Sequence, residues 1–203
     1  ASPFAANTIV VFAADSGVAR GSHGLVGKQN LYEHSVRVPL ILRGPGIPAG
    51  QRTEAMCYLF DVLPTLGKLC GVPGPKTSEG MPFTATLLNP RKPARRELVF
   101  AYKEVQRAIR DDRWKLIRYP LVDKTQLFDL AADPRELNNL ADQPEQAGKV
   151  AELTALLARE MAAYGDPHPL KVARPQPASW TPPTDSAETP RRARPGKATK
   201  RDR

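Results

Sequence analysis

Residues 8–14 read Thr-Ile-Val-Val-Phe-Ala-Ala, an unbroken apolar run that stops at Asp15-Ser16-Gly17. A half-exposed strand would alternate apolar and polar side chains, so a continuous β-branched run predicts a strand covered on both faces. Such strands belong to the interior of a mostly parallel sheet. Open sheets of this kind hold their ligands at the carboxyl ends of the strands, which is where Asp15 falls. Val38–Arg43 reads as a second strand, ended by Gly44-Pro45-Gly46, and Ala55–Phe60 as a third. A helix should follow, with Asp61 as N-cap, Pro64 in its first turn and Gly71 just past its end.

From Glu97 the pattern changes. Leu98–Tyr102, Gln106–Arg110, Trp114–Tyr119 and Gln126–Asp129 read as short strands with tight connections, and Asp111-Asp112 as a hairpin turn. Together they predict a small antiparallel sheet. Asp133-Pro134-Arg135-Glu136 has the form of a helix start, with a short helix expected to about Leu140. Residues 144–164 predict a long amphipathic helix with Val150, Leu153, Leu157 and Met161 on one side. The last 38 residues contain eight prolines and no hydrophobic period, so they read as disordered. The expected organisation is α/β: residues 1–96 as the C-terminal part of a larger mostly parallel sheet domain, 97–165 as a four-stranded antiparallel subdomain with its helix, and 166–203 as a basic tail. Residues 1–4 carry no basic cluster and do not read as a secretory leader.

Charge narrows the function classes. The formal net charge is +9, but residues 166–203 alone hold nine Lys/Arg against four Asp/Glu. A fold that reads nucleic acid would carry its charge on a folded face, so nucleic acid is not the expected partner. No apolar run approaches the roughly 20 residues of a membrane span. Cys57 and Cys70 make no metal-binding spacing and read as buried thiols. Trp114 and Phe100 read as core of the small sheet, Arg37 as a structural anchor, and Tyr102 and Arg107 as candidates for the rim of a pocket.

Chemistry concentrates after the first strand. Asp15, His23 and Lys28 share a loop containing Gly17, Gly21, Gly24 and Gly27, and glycines let backbone approach a ligand closely. A carboxylate suits a hard divalent cation, while an imidazole and an ammonium suit an oxyanion. Equally, the spacing alone is compatible with a turn-forming Asp15, a surface His23 and a solvated Lys28.

The ordered segments 8–17, 21–28, Leu31-Tyr32-Glu33-His34-Ser35-Val36-Arg37-Val38-Pro39-Leu40 and Gly44-Pro45-Gly46 resemble the second half of a type I sulfatase catalytic domain. Asp61-Val62-Leu63-Pro64-Thr65-Leu66, Arg113–Ile117, Leu127–Leu130 and Asp133-Pro134-x-Glu136 resemble later parts of the same family, so the likeness spans residues 7–160. It implies the alkaline-phosphatase-like fold and a calcium-dependent sulfuric ester hydrolase acting on a sugar, aryl or alkyl sulfate. The family's nucleophile is a formylglycine made from a Cys/Ser-x-Pro-x-Arg motif. By motif, Asp15 would bind calcium, and Lys28 and His23 would contact the sulfate group, His23 as charge neutraliser or proton donor. Ser16 stands where the family usually has Asn or His, and would coordinate metal or only shape the turn. The chain contains no Cys-x-Pro-x-Arg or Ser-x-Pro-x-Arg, so it is expected to be a C-terminal portion, inactive alone. Two alternatives are a phosphonate monoester or phosphodiester hydrolase of the same superfamily, and a noncatalytic polyanion-binding protein using Arg191–Arg203.

Overall fold

The computed structural model describes residues 3–179. Strand β1 (Val10–Ala13) runs out of the apolar segment and is followed by the short β2 (Ala19–Arg20) and β3 (Val26–Gly27), which pair with each other. One turn of helix, α1 (Glu33–Val36), leads to β4 (Leu40–Arg43). The first and second expected strands are therefore present, but two details differ. β1 pairs with β4 antiparallel, Phe12 opposite Ile41, and among the described residues no parallel partner lies beside either. The run is also not covered on both faces: Val10, Phe12 and Ile41 are 51%, 60% and 61% exposed. An apolar run reports that a strand needs cover; it does not report whether residues 3–179 supply it.

The third expected strand, 55–60, is absent as such. Met56 makes a single bridge to Arg95, and Leu59–Asp61 form a 3-10 turn leading into α2 (Val62–Cys70). Gly71 ends α2 with φ +68°, the left-handed conformation expected of it. Cys70 is exposed and Cys57 only partly buried, so neither is the fully buried thiol expected. After α3 (Thr84–Leu88) the chain enters β5 (Leu98–Tyr102), β6 (Gln106–Arg110), β7 (Trp114–Tyr119) and β8 (Lys124–Asp129), an antiparallel sheet in sequence order. Helix α4 (Ala147–Ala163) closes the subdomain. The expected helix at 133–140 does not form. Glu136 takes φ +57° instead, for a reason found in its side-chain partners below.

The four-stranded sheet is buried on both faces. Ile109, Leu116 and Leu127 pack against Leu153, Leu157 and Met161 of α4, with Trp114 beside them. The other face sets Ala108, Ile117 and Phe128 against Leu31 and Tyr32, with Phe100 and Tyr102 packed alongside. The segment 31–36, which joins the glycine-rich loop to β4, is thus docked on the sheet. Residues 166–179 contain no helix or strand and lie against the subdomain, where Gln176 N–H donates to the Leu121 carbonyl at 2.8 Å. The rest of the expected disordered tail, 180–203, lies outside the described residues. No helix among the described residues is long and apolar enough to cross a membrane.

Candidate active site

The turn after β1 is held by a close backbone approach. Gly17 N–H donates to the Ser35 carbonyl at 2.9 Å, and a Cβ on Gly17 would lie 1.9 Å from the His34 carbonyl oxygen. No side chain fits there without moving α1 away from the turn. Gly17→Ala should therefore cost about 1–3 kcal/mol by overpacking, read as a lower urea midpoint at unchanged slope. An unchanged midpoint would show that the turn and α1 are not in this contact.

Asp15 and Lys28 meet at this end of β1. Lys28 Nζ lies 3.3 Å from Asp15 Oδ2, with the side chains 53% and 84% exposed. Ser16 N–H donates to Asp15 Oδ1 at 2.8 Å. The Lys28 ammonium, and then the Ser16 N–H, hold the Asp15 carboxyl below its ordinary value, so it is ionised at neutral pH. Ser16 Oγ is buried and has no hydrogen-bond partner. A buried hydroxyl without a partner beside an ionised, open carboxylate is a pair of oxygen donors of the kind calcium takes. Two residues are fewer than the six to eight oxygens of a calcium shell, and among the described residues no three His, Cys, Asp or Glu side chains gather. The donors fit in kind, as part of a shell.

His23 is placed differently from Lys28. Its backbone is left-handed at φ +55°, its ring stacks on Tyr32 at 3.9 Å, and its Nε2 lies 2.9 Å from the Glu136 carbonyl oxygen. A carbonyl oxygen only accepts, so Nε2 carries the proton and Nδ1, buried without a partner, is the free nitrogen. His34 lies 5.3 Å from the His23 ring, with its Nε2 also unpartnered. Burial, then the neighbouring His23 and the Lys115 ammonium, push the His34 imidazole below its ordinary value. It is therefore neutral at pH 7.

Four residues given no site role by the sequence form a charged cluster joined to this loop. Lys115, 0% exposed, has Nζ 3.2 Å from Glu33 Oε1 and 2.9 Å from Glu136 Oε1. Arg110 Nη1 lies 2.6 Å from Glu33 Oε2, and Glu33 N–H donates to Glu136 Oε2 at 2.6 Å. Glu136 leaves helical geometry to bring its carboxylate under Lys115. Arg107, expected at a pocket rim, is buried instead and paired to Asp166 at 2.5 Å. Arg37 makes an ion pair with Glu54 at 3.0 Å, with both side chains more than half exposed.

Comparison with known proteins places the chain in a family. The chain is 36% identical over 176 residues to an N-acetylglucosamine-6-O-sulfatase of Bacteroides thetaiotaomicron, a match covering 80% of this chain and 32% of that protein. It is 37% identical over 166 residues to a choline-sulfatase of Rhizobium meliloti, covering 77% of this chain and 31% of that one. Among solved structures, BT4656 in complex with its substrate D-glucosamine-2-N,6-O-disulfate superposes with a TM-score of 0.74 at 33% identity, over 81% of this chain and 36% of that chain. The chain thus spans about a third of the length of the curated relatives it matches. Residues 21–163 match the family model described as N-sulphoglucosamine sulphohydrolase, C-terminal, and the chain belongs to that family of sulfatase C-terminal regions.

Proposed function

We propose that this chain is the C-terminal portion of a sulfuric ester hydrolase, acting on the sulfate ester of a sugar, aryl or alkyl substrate. The observation that carries the proposal is the Asp15–Lys28 pair, open to solvent at the end of β1 with the orphaned Ser16 hydroxyl beside it. Asp15 and Ser16 would contribute oxygens to a calcium ion, whose chemistry is to polarise the sulfuryl group. Lys28, a compact charge with three donors, would bind the sulfuryl oxygens and offset charge that grows on them and on the leaving oxygen. His23 would offer Nδ1 to the same group once protonated. Residues 1–96 would belong to the catalytic domain and 97–165 to the subdomain that backs it. The exposed face of β1 and β4 would lie against the rest of that domain.

The test compares the 203-residue chain alone with a longer polypeptide carrying an upstream Cys/Ser-x-Pro-x-Arg motif. The chain alone, which has no such motif, should leave 4-nitrophenyl sulfate untouched. The longer polypeptide should hydrolyse it in a calcium-dependent manner, faster than phenylphosphonate. Turnover by the chain alone, or a preference for the phosphonate, would contradict the proposal.

A further inference from the structure

We propose that Lys115, on the far subdomain, is a positioning residue that sets the orientation and tautomer of His23. The inference builds on the function proposed above only where it speaks of rate.

The path from Lys115 to His23 has one intermediate. Lys115 pairs by charge with Glu136 Oε1 at 2.9 Å without a directional hydrogen bond to it, Glu33 N–H donates to Oε2 of the same carboxylate, and the Glu136 carbonyl lies at hydrogen-bond distance from His23 Nε2. Anchoring the carboxylate at two points fixes the turn, and the turn aims the carbonyl. Both ends of the contact are non-glycine residues in left-handed backbone, His23 at φ +55° and Glu136 at φ +57°. Such conformations persist only where the surroundings over-determine them. Here the surroundings are the ion cluster on one side and the Tyr32 ring stacked on His23 on the other.

Stability alone is a poor account of this cluster. Lys115 and Arg110 balance Glu33 and Glu136, all four largely withdrawn from water. Buried ion pairs commonly add no more stability than apolar residues of the same volume. Leu31, Tyr32, Ile117 and Phe128 already supply an apolar joint beside it. What paired charges add is geometry. A carbonyl that accepts from Nε2 forces the proton onto that nitrogen and leaves Nδ1 as the one that can exchange a proton with a ligand.

The test reads the His23 ring directly, by long-range proton–nitrogen NMR on the 203-residue chain, where only His23, His34 and His168 contribute. The native chain should show His23 as a single Nε2–H tautomer. Lys115→Met should convert it to a tautomer mixture while the methyl signals of Leu153 and Leu157 stay put. If that variant does not fold, Glu136→Gly answers the same question. It suits φ +57°, keeps the carbonyl that His23 uses, leaves Lys115 paired with Glu33, and deletes only the anchored carboxylate. A single Nε2–H tautomer surviving in either folded variant overturns the proposal. In the longer, active polypeptide Lys115→Met should lower kcat about 10–100-fold, as small misplacements of reacting groups do, with KM little changed. An altered tautomer with unaltered kcat would instead leave the positioning intact and remove His23 from the reaction proposed above.

Discussion

Asp61→Ala should detach residues 56–95 from the fold while leaving the four-stranded sheet intact. Asp61 is 1% exposed and works as a four-way junction, not as the cap of α2. Its carboxylate pairs with Arg95 through both oxygens at 2.7 and 2.6 Å and accepts the N–H groups of Tyr58 and Met81, each at 2.8 Å. The Arg95 guanidinium also lies 4.7 Å from the Tyr58 ring centroid and 5.4 Å from that of Phe60, two rings that stack on each other. Alanine would at once strand a buried cation and leave two partly buried N–H donors without their acceptor. Removing one partner of a buried pair costs about 3–5 kcal/mol, which exceeds what this loop-rich segment can draw from Met56, Thr65, Phe83 and Thr86, its few other buried side chains. Hydrogen exchange should show protection lost in α2 and α3 and kept in β5–β8. Uniform protection across both regions would refute the junction role.

The same residue gives the chain an acid limb. Burial opposes ionisation of Asp61, but the Arg95 guanidinium and the two backbone donors outweigh it and hold the carboxyl below its ordinary value. A depressed folded value means the contribution is fully present above the unfolded carboxyl near pH ~3.9 and is lost as pH falls through the folded value. Asp61→Asn should flatten that part of the stability–pH curve.

What could be read from the sequence divides by range. The four strands of the small sheet lie within two residues of expectation because each is a short run with tight connections to the next, and the start of β8 differs because Lys124 and Thr125 are polar. The run at 55–60 is too short for periodicity to decide, and a side-chain junction on Asp61 decided it instead. The helix start at Asp133-Pro134 was overridden because the Glu136 carboxylate has a tertiary partner in Lys115. Within the site, Asp15, Ser16 and Lys28 come together because one loop carries all three. The carbonyl facing His23 comes from a residue 113 positions away, and no local pattern announces it. One signal was available: Lys115 alternates in phase with Ile117 on an inward face. A charge in an apolar register is a charge that needs a partner.

Lys28→Ala should lower sulfate ester turnover in the longer polypeptide by about 10²–10³-fold without touching the fold. Lys28 is half exposed, and its contact with Asp15 is at the surface, where ion pairs add little to stability and are screened by salt. Its side chain has no other hydrogen bond or ion pair among the described residues. A structural role therefore predicts almost no effect of the substitution on anything. A catalytic role predicts a fall in kcat of about 10²–10³-fold, the usual consequence of deleting one donor to a developing oxyanion, with superimposable urea curves. Lys28→Arg should recover only part of the rate, because a planar fork cannot reproduce a compact ammonium at one oxygen. The Asp15 contact adds a second readout. With Lys28 gone, the Asp15 carboxyl loses the main influence that depresses it, so its titration in the metal-free chain should move upward. A kcat within threefold of native would assign Lys28 to the solvated surface and leave the end of β1 without its anion-binding group.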